Sequence, residues 1–303
     1  KAFYSPNIDE FAALYEKYEK DDTVDQWYMD GRAVFTMLVT QMLGTGRIYT
    51  LDAYEVNYHT AFYEPIVMTN LCVEITLPTT PIVDINDVAT TNPYESVGEI
   101  ALCVLGGIPW GNIDLEEMYD IVYDQLDLLD TIFDMQMYVI KAAEHAKYRR
   151  SVGIGVIDYA HFLAKRDLRY GSPDALNITH RWMEHMQFCL IKASIEIAKD
   201  RGACGYNDRT KWADGILPID HYNKNVDELH TQPLMEDWES LREPLKTWGM
   251  RFSTLTAHMP SESSSVVWGF TNGIEPVRKP ITVKSSKKGD LIVPAPDIES
   301  LGL

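Results

Sequence analysis

With 303 residues, 46% of them apolar, the chain can bury a real core as one large domain or two small ones, which excludes a disordered polypeptide. A net charge of −18 argues against a nucleic-acid partner, although local dipoles can still hold a small anion against such a field. Four cysteines are too few for a disulfide scaffold and show no zinc-like C-x-x-C spacing; no apolar run approaches the roughly 20 residues of a membrane span, so a reducing, cytoplasmic setting without a membrane partner is expected.

Residues 7–20 read as a short helix, and 22–43 as a longer one with Val34, Phe35, Leu38, Met42 and Leu43 on its apolar face. Gly44-Thr45-Gly46 stops it. Residues 47–57 alternate as a strand would, and 70–77 read as a strand or as a loop leading into one. Pro, Asn, Asp and Thr make 78–98 a long loop, and 100–108 is a buried strand. Helices are expected over 114–147 in two pieces, over 153–166, over about 173–200 ending at Gly202, and over 235–248. Residues 252–259 read as a strand that runs into a Ser-rich helix start. Strands interleaved with helices indicate an α/β barrel or a doubly wound sheet, and no internal repeat or low-complexity tract interrupts them.

The chemistry concentrates in Asn70-Leu71-Cys72-Val73-Glu74. On an extended backbone, alternate residues share a face, so an amide, a thiol and a carboxylate would project together. From spacing alone Cys72 reads equally well as a buried strand cysteine. Asn70 and Glu74 beside it favour a functional row, because polar groups flanking a buried thiol need partners and a substrate can be one. Cys103 taken alone reads as core. Cys189 shares a helical stripe with Trp182, Met186, Ala193 and Ile197 and reads as core; Cys204, between two glycines after a helix, reads as structural. Gly153-Ile154-Gly155 follows a basic helical stretch and not a strand, so it is not a dinucleotide fingerprint. Gly44-Thr45-Gly46 lacks the Lys-Ser/Thr of a phosphate loop. The eight histidines show no paired ligand spacing, and no metal site is expected. In Met259-Pro260-Ser261-Glu262-Ser263-Ser264-Ser265, backbone N–H groups and hydroxyls suit a phosphate, while a capped surface helix is the plainer reading. Glu262 sits awkwardly for an anion and would instead face a sugar or cap its own helix.

These segments together resemble the large, catalytic subunit of class I ribonucleotide reductase. The resemblance is carried by Gly44-Thr45-Gly46-Arg47-Ile48-Tyr49, by residues 70–78, by Gly98-Glu99-Ile100-Ala101-Leu102-Cys103 and by Gly153-Ile154-Gly155-Val156-Ile157. It continues through Gly215-Ile216-Leu217-Pro218-Ile219-Asp220, residues 259–265 and Thr271-Asn272-Gly273-Ile274-Glu275-Pro276, all in the family's order. The resemblance implies a fold, part of a ten-stranded α/β barrel with a central finger loop that carries the active cysteine. Residues 1–303 would form an incomplete catalytic barrel domain, with finger loop and second half-barrel but neither an ATP-binding activity domain nor a C-terminal redox tail. The chain would then be a fragment, a processed product or one piece of a split subunit, inactive by itself.

The resemblance also implies roles. Cys72 would carry the thiyl radical, Glu74 would act as general base on the ribose 3′-OH, Asn70 would hold the ribose hydroxyls, and Cys103 would be one half of a redox pair whose other half lies outside this chain. Ser261, Glu262, Ser263 and Ser264 would bind the ribonucleoside diphosphate substrate. No cofactor is expected in the chain itself; a small subunit with a dinuclear metal centre would supply the radical. Remaining pieces of the large subunit and thioredoxin or glutaredoxin as reductant complete the expected partners. A cobalamin-dependent class II reductase and a non-catalytic assembly fragment are the alternatives. The Met259-Pro260-Ser261-Glu262 segment favours class I, and intact Asn70, Cys72, Glu74 and Cys103 argue against a relic.

Overall fold

The structure, a computed structural model, describes residues 7–82, 98–287 and 289–299. Most of the loop expected over 78–98 therefore lies outside the described residues. The chain forms two compact units, one ending at Pro78 and the other beginning at Thr79.

The first unit holds three helices, α1 (Ile8–Glu19), α2 (Gly31–Thr45) and α3 (Ala53–His59). Each begins at a short polar side chain that accepts from the first free backbone N–H groups: Asn7, Asp30 and Asp52. These caps explain two corrections. The helix expected from residue 22 starts at Gly31, because Asp30 bonds the N–H groups of Arg32 and Ala33. The strand expected over 47–57 is instead an irregular stretch followed by α3, because Asp52 caps Tyr54 and Glu55. The buried amide of Asn57 ties α3 to the chain beyond it, accepting from the Ile66 N–H at 2.8 Å and donating to the Ile66 carbonyl at 3.1 Å.

The second unit is organised around a parallel strand pair, β1 (Val104–Pro109) and β2 (Val152–Ile157), registered Val104 with Val152 through Pro109 with Ile157. Between them run α4 (Met118–Met135) and α5 (Lys141–Arg149), the two expected pieces. Met118, Val122, Leu126, Leu129 and Phe133 form one buried stripe of α4, facing α7 (Pro173–Arg201). Pro173 at the first turn and the Ser172 cap start α7, and Gly202 ends it as expected. The Cys189 stripe is buried there with Trp182, Met186, Ala193 and Ile197, so that reading holds. The strand expected over 100–108 is shorter and shifted, and only partly buried: Ile108 is fully covered, whereas Leu102 and Leu105 reach solvent.

The helix expected over 153–166 is wrong in its first half. Residues Val152–Ile157 are a strand buried at every position, and only α6 (Tyr159–Ala164) is helical. The reason lies in the glycines. A Cβ on Gly155 would stand 2.3 Å from the Ala257 carbonyl oxygen, so Gly155 lets another backbone pass against β2. That backbone is the 252–259 segment, expected as a strand. It is extended but makes only one bridge, Thr256 to Ile154, supported by the Ile154 N–H donating to Leu255 at 2.8 Å. Helices α8 (Glu239–Trp248) and α9 (Glu262–Trp268) and an antiparallel hairpin, β3 (Ile281–Ser286) with β4 (Gly289–Pro294), follow, and short 3-10 turns join several of the elements. The class is thus α/β, and the described residues contain no closed barrel. No helix among them is long and apolar enough to cross a membrane.

Candidate functional site

Residues 70–75 do not form a strand. The Val73 N–H donates to the Asn70 carbonyl at 3.2 Å, and Val73 takes a left-handed φ of 62°. A β-branched residue rarely adopts that conformation, and its presence marks a held turn. The Asn70 side-chain oxygen accepts from the Ile75 N–H at 3.3 Å, and the Thr69 hydroxyl donates to the Ile75 carbonyl at 2.9 Å. So the alternating row expected of Asn70, Cys72 and Glu74 is replaced by a closed turn. Cys72 stands at its tip as a free, exposed thiol. Glu74 is half-buried, and its Oε2 is a buried acceptor without a hydrogen-bond partner among the described residues. An unpartnered carboxylate oxygen two residues along the chain from an exposed thiol is a place where a ligand hydroxyl gains a strong acceptor.

Cys103, in the second unit, is a half-buried thiol immediately before β1, outside any disulfide among the described residues. Upstream of it stands a buried ion pair that the sequence reading missed. The Arg149 guanidinium is bidentate to Glu99, with Nη2 to Oε2 at 2.9 Å and Nε to Oε1 closer still, and both side chains are nearly inaccessible. The Glu99 carbonyl also accepts from the Thr79 hydroxyl at 2.6 Å. The signal was present: Glu99 sits inside the Gly98 to Cys103 motif, and an acid in an otherwise apolar run asks for a partner. The other two thiols are inert by comparison. Burial pushes Cys189 up to about 12 and Cys204 up to about 11, so neither forms a thiolate readily.

Ser261 to Ser265 lie at the start of α9. Ser261 is buried and fully engaged: its N–H and hydroxyl donate to Asn272 Oδ1 at 2.7 and 3.1 Å, and its oxygen accepts from the Gly273 N–H at 2.9 Å. Glu262 pairs with Lys284 and accepts from Asn272 Nδ2 at 3.2 Å. Ser263 and Ser264 face solvent, with the Ser264 hydroxyl donating to the Ser261 carbonyl at 3.3 Å. Hydroxyls held on a turn in this way can receive phosphate oxygens. Among the described residues no three His, Cys, Asp or Glu side chains converge as metal ligands.

Comparison with known proteins gives these features a setting. Residues 1–301 match the family described as ribonucleotide reductase, barrel domain. The chain is 43% identical over 306 residues to the alpha subunit of ribonucleoside-diphosphate reductase from Haemophilus influenzae, covering 99% of this chain and 39% of that subunit. It is 43% identical to the alpha subunit of ribonucleoside-diphosphate reductase 1 from Escherichia coli, with 99% of this chain and 39% of that subunit covered. To the corresponding subunit of Enterobacteria phage T4 it is 40% identical, over 98% of this chain and 38% of that subunit. The chain thus spans about two-fifths of the length of these relatives.

Proposed function

Because the chain belongs to the ribonucleotide reductase barrel-domain family, we propose that it carries the reacting residues for reduction of ribonucleoside diphosphates to deoxyribonucleoside diphosphates, a step in DNA precursor synthesis. Cys72, as a thiyl radical, takes the hydrogen from C3′ of the ribose. Glu74 takes the proton of the 3′-OH, which helps water leave from C2′. Asn70 holds the ribose hydroxyls. Cys103 and a second cysteine outside this chain supply two electrons and two protons, one leaving with the 2′-OH as water and one ending on C2′, and become a disulfide, which a thioredoxin or glutaredoxin reduces again; Cys72 returns its hydrogen to C3′. The exposed hydroxyls of Ser263 and Ser264 take the phosphates, while Ser261, whose N–H and hydroxyl are already bonded to Asn272, and Glu262, paired with Lys284, order the segment beside them. A small subunit with a dinuclear metal centre supplies the radical. The barrel is ten-stranded, residues 70–75 form its central finger loop, and the activity requires the remaining parts of the large subunit.

The observation that carries this reading is the family match combined with the turn: an exposed free thiol at Cys72, two residues from the unpartnered Oε2 of Glu74. A substrate hydroxyl would satisfy that oxygen. The test is Cys72→Ser in the assembled reductase. Deoxynucleotide formation is expected to fall to background, with the circular dichroism spectrum and substrate affinity retained. Turnover above background in that variant would remove Cys72 from the radical role.

A further inference from the structure

A buried carboxylate of the second unit with four hydrogen-bond contacts lies outside every residue assigned above. Asp158 directly follows β2 and is completely buried. It adopts a left-handed φ of 63°, which a short Asp side chain tolerates better than most. Its Oδ2 accepts from Asn112 Nδ2 at 2.8 Å and faces His161 Nδ1 at 2.9 Å. A Cβ on Gly111 would stand 2.3 Å from that same oxygen, so the glycine leaves the room that the carboxylate occupies. Its Oδ1 accepts from the Thr271 N–H at 2.8 Å and from the Thr271 hydroxyl at 3.3 Å. Two backbone bonds reinforce the join: the Asp158 N–H donates to Thr271, and the Tyr159 N–H to Gly273.

The residue after Thr271 is Asn272, whose Oδ1 holds both the N–H and the hydroxyl of Ser261, and Gly273 donates to the Ser261 oxygen. The chain of bonds therefore runs from the end of a buried strand, through the 271–273 turn, to the first residue of the serine segment. A polar network satisfied at every member is rigid, and its geometry depends on each member.

We propose that Asp158 is a positioning residue for the phosphate end of the substrate site, fixing the 271–273 turn so that Asn272 locks Ser261 and thereby sets Ser263 and Ser264 toward the diphosphate. This rests on the reading of the serine segment as the phosphate site. Asp158 touches no substrate; its effect passes through Thr271 and Asn272. It therefore governs recognition of the phosphates and not of the nucleoside.

The test uses the assembled reductase and two ligands, a ribonucleoside diphosphate and the same ribonucleoside without phosphates, with Kd measured for each by equilibrium dialysis. Asp158→Ala and Asn272→Ala should each raise the diphosphate Kd by about 10- to 100-fold, the scale of lost charge-assisted hydrogen bonds, while the nucleoside Kd stays within about twofold. KM for the diphosphate should rise with it, and kcat at saturation should change little. Asp158→Asn keeps an acceptor for Thr271 and should recover most of the affinity. Asn272→Ala removes only a half-exposed side chain and reports on the same chain of bonds if Asp158→Ala does not fold. Unchanged diphosphate affinity in Asn272→Ala, or equal losses for both ligands, would overturn the proposal. Ser263→Ala combined with Ser264→Ala separates the two levels. If that variant binds diphosphate normally, the phosphate-site reading fails and the positioning role fails with it. If it binds weakly while Asp158→Ala and Asn272→Ala bind normally, only the positioning role fails.

Discussion

Cys72 and Cys103 illustrate how much one residue's surroundings decide. Cys72 is exposed on a strained turn, while Cys103 is half-buried at the entrance to a parallel strand. Their substitutions should therefore fail differently. On the mechanism proposed above, Cys103→Ser should leave substrate binding and hydrogen abstraction at C3′ intact but stop product formation, because one of the two electron-donating thiols of that mechanism is gone. Isotope exchange at C3′ without deoxynucleotide is the expected signature; sustained multiple turnovers with a normal reductant would reduce Cys103 to a core residue. The motif containing Asn70, Cys72 and Glu74 was legible in the sequence, but its geometry was not. Alternation assumes an extended backbone, and the left-handed conformation of Val73 breaks it. Nothing in a valine announces that, since β-branched residues argue for strand.

Among the elements, what joins helices to strands in the second unit is charge as much as packing. Asp130, on α4 with its side chain only 3% exposed, takes Arg150 Nη1 and Arg251 Nε on one oxygen at 2.7 and 2.8 Å, and Arg201 on the other at 3.1 Å. These arginines come from the end of α5, the segment beside β2 and the end of α7, so one carboxylate ties four pieces of chain. Burial alone would push the Asp130 carboxyl up; the Arg251 hydrogen bond and the Arg150 and Arg251 charges outweigh it and hold the group below its ordinary 3.8. A depressed folded value means the contribution is fully present above the unfolded value and is lost as pH falls through the folded one. Asp130→Asn should cost about 3–5 kcal/mol at neutral pH, the range for breaking a buried ion pair. The variant should also show a flatter loss of stability than the parent below about pH 4 in urea titrations. Equal acid slopes would show that Asp130 is not the group responsible. This network was invisible in the sequence, because the four residues are scattered. Helices α4, α5 and α7 were readable from apolar spacing, and the end of α7 from Gly202. Strand β2 was not, because two glycines in six residues weaken any strand signal, and only the approach of Ala257 explains them.

At the scale of the whole molecule, the first unit carries much uncovered apolar surface. Trp27, Tyr28 and Met29 are exposed ahead of α2, and α2 itself buries none of its residues, with Phe35 and Leu43 open to solvent. Surfaces of that kind mark sites for other protein. The chain by itself should therefore self-associate, and sedimentation velocity should show mass above the 34.6 kDa of the monomer. A stable monomer that reduces ribonucleotides unaided would contradict both this and the proposed requirement for the remaining parts of the large subunit. The parallel pairing carries a further consequence, for how the chain acquires its structure. Residue 104 must find residue 152, and residue 154 must find residue 256. Neither contact is local, and pairings of that kind slow the search for the native state because loop entropy is lost before any contact forms. On a ribosome adding about 5–20 residues per second, the segment that covers the glycine side of β2 emerges about 5–20 s after β2 itself. For that interval the most apolar strand of the second unit has a bare flank, which makes the nascent chain a client for whatever cellular factor shields unpaired strands.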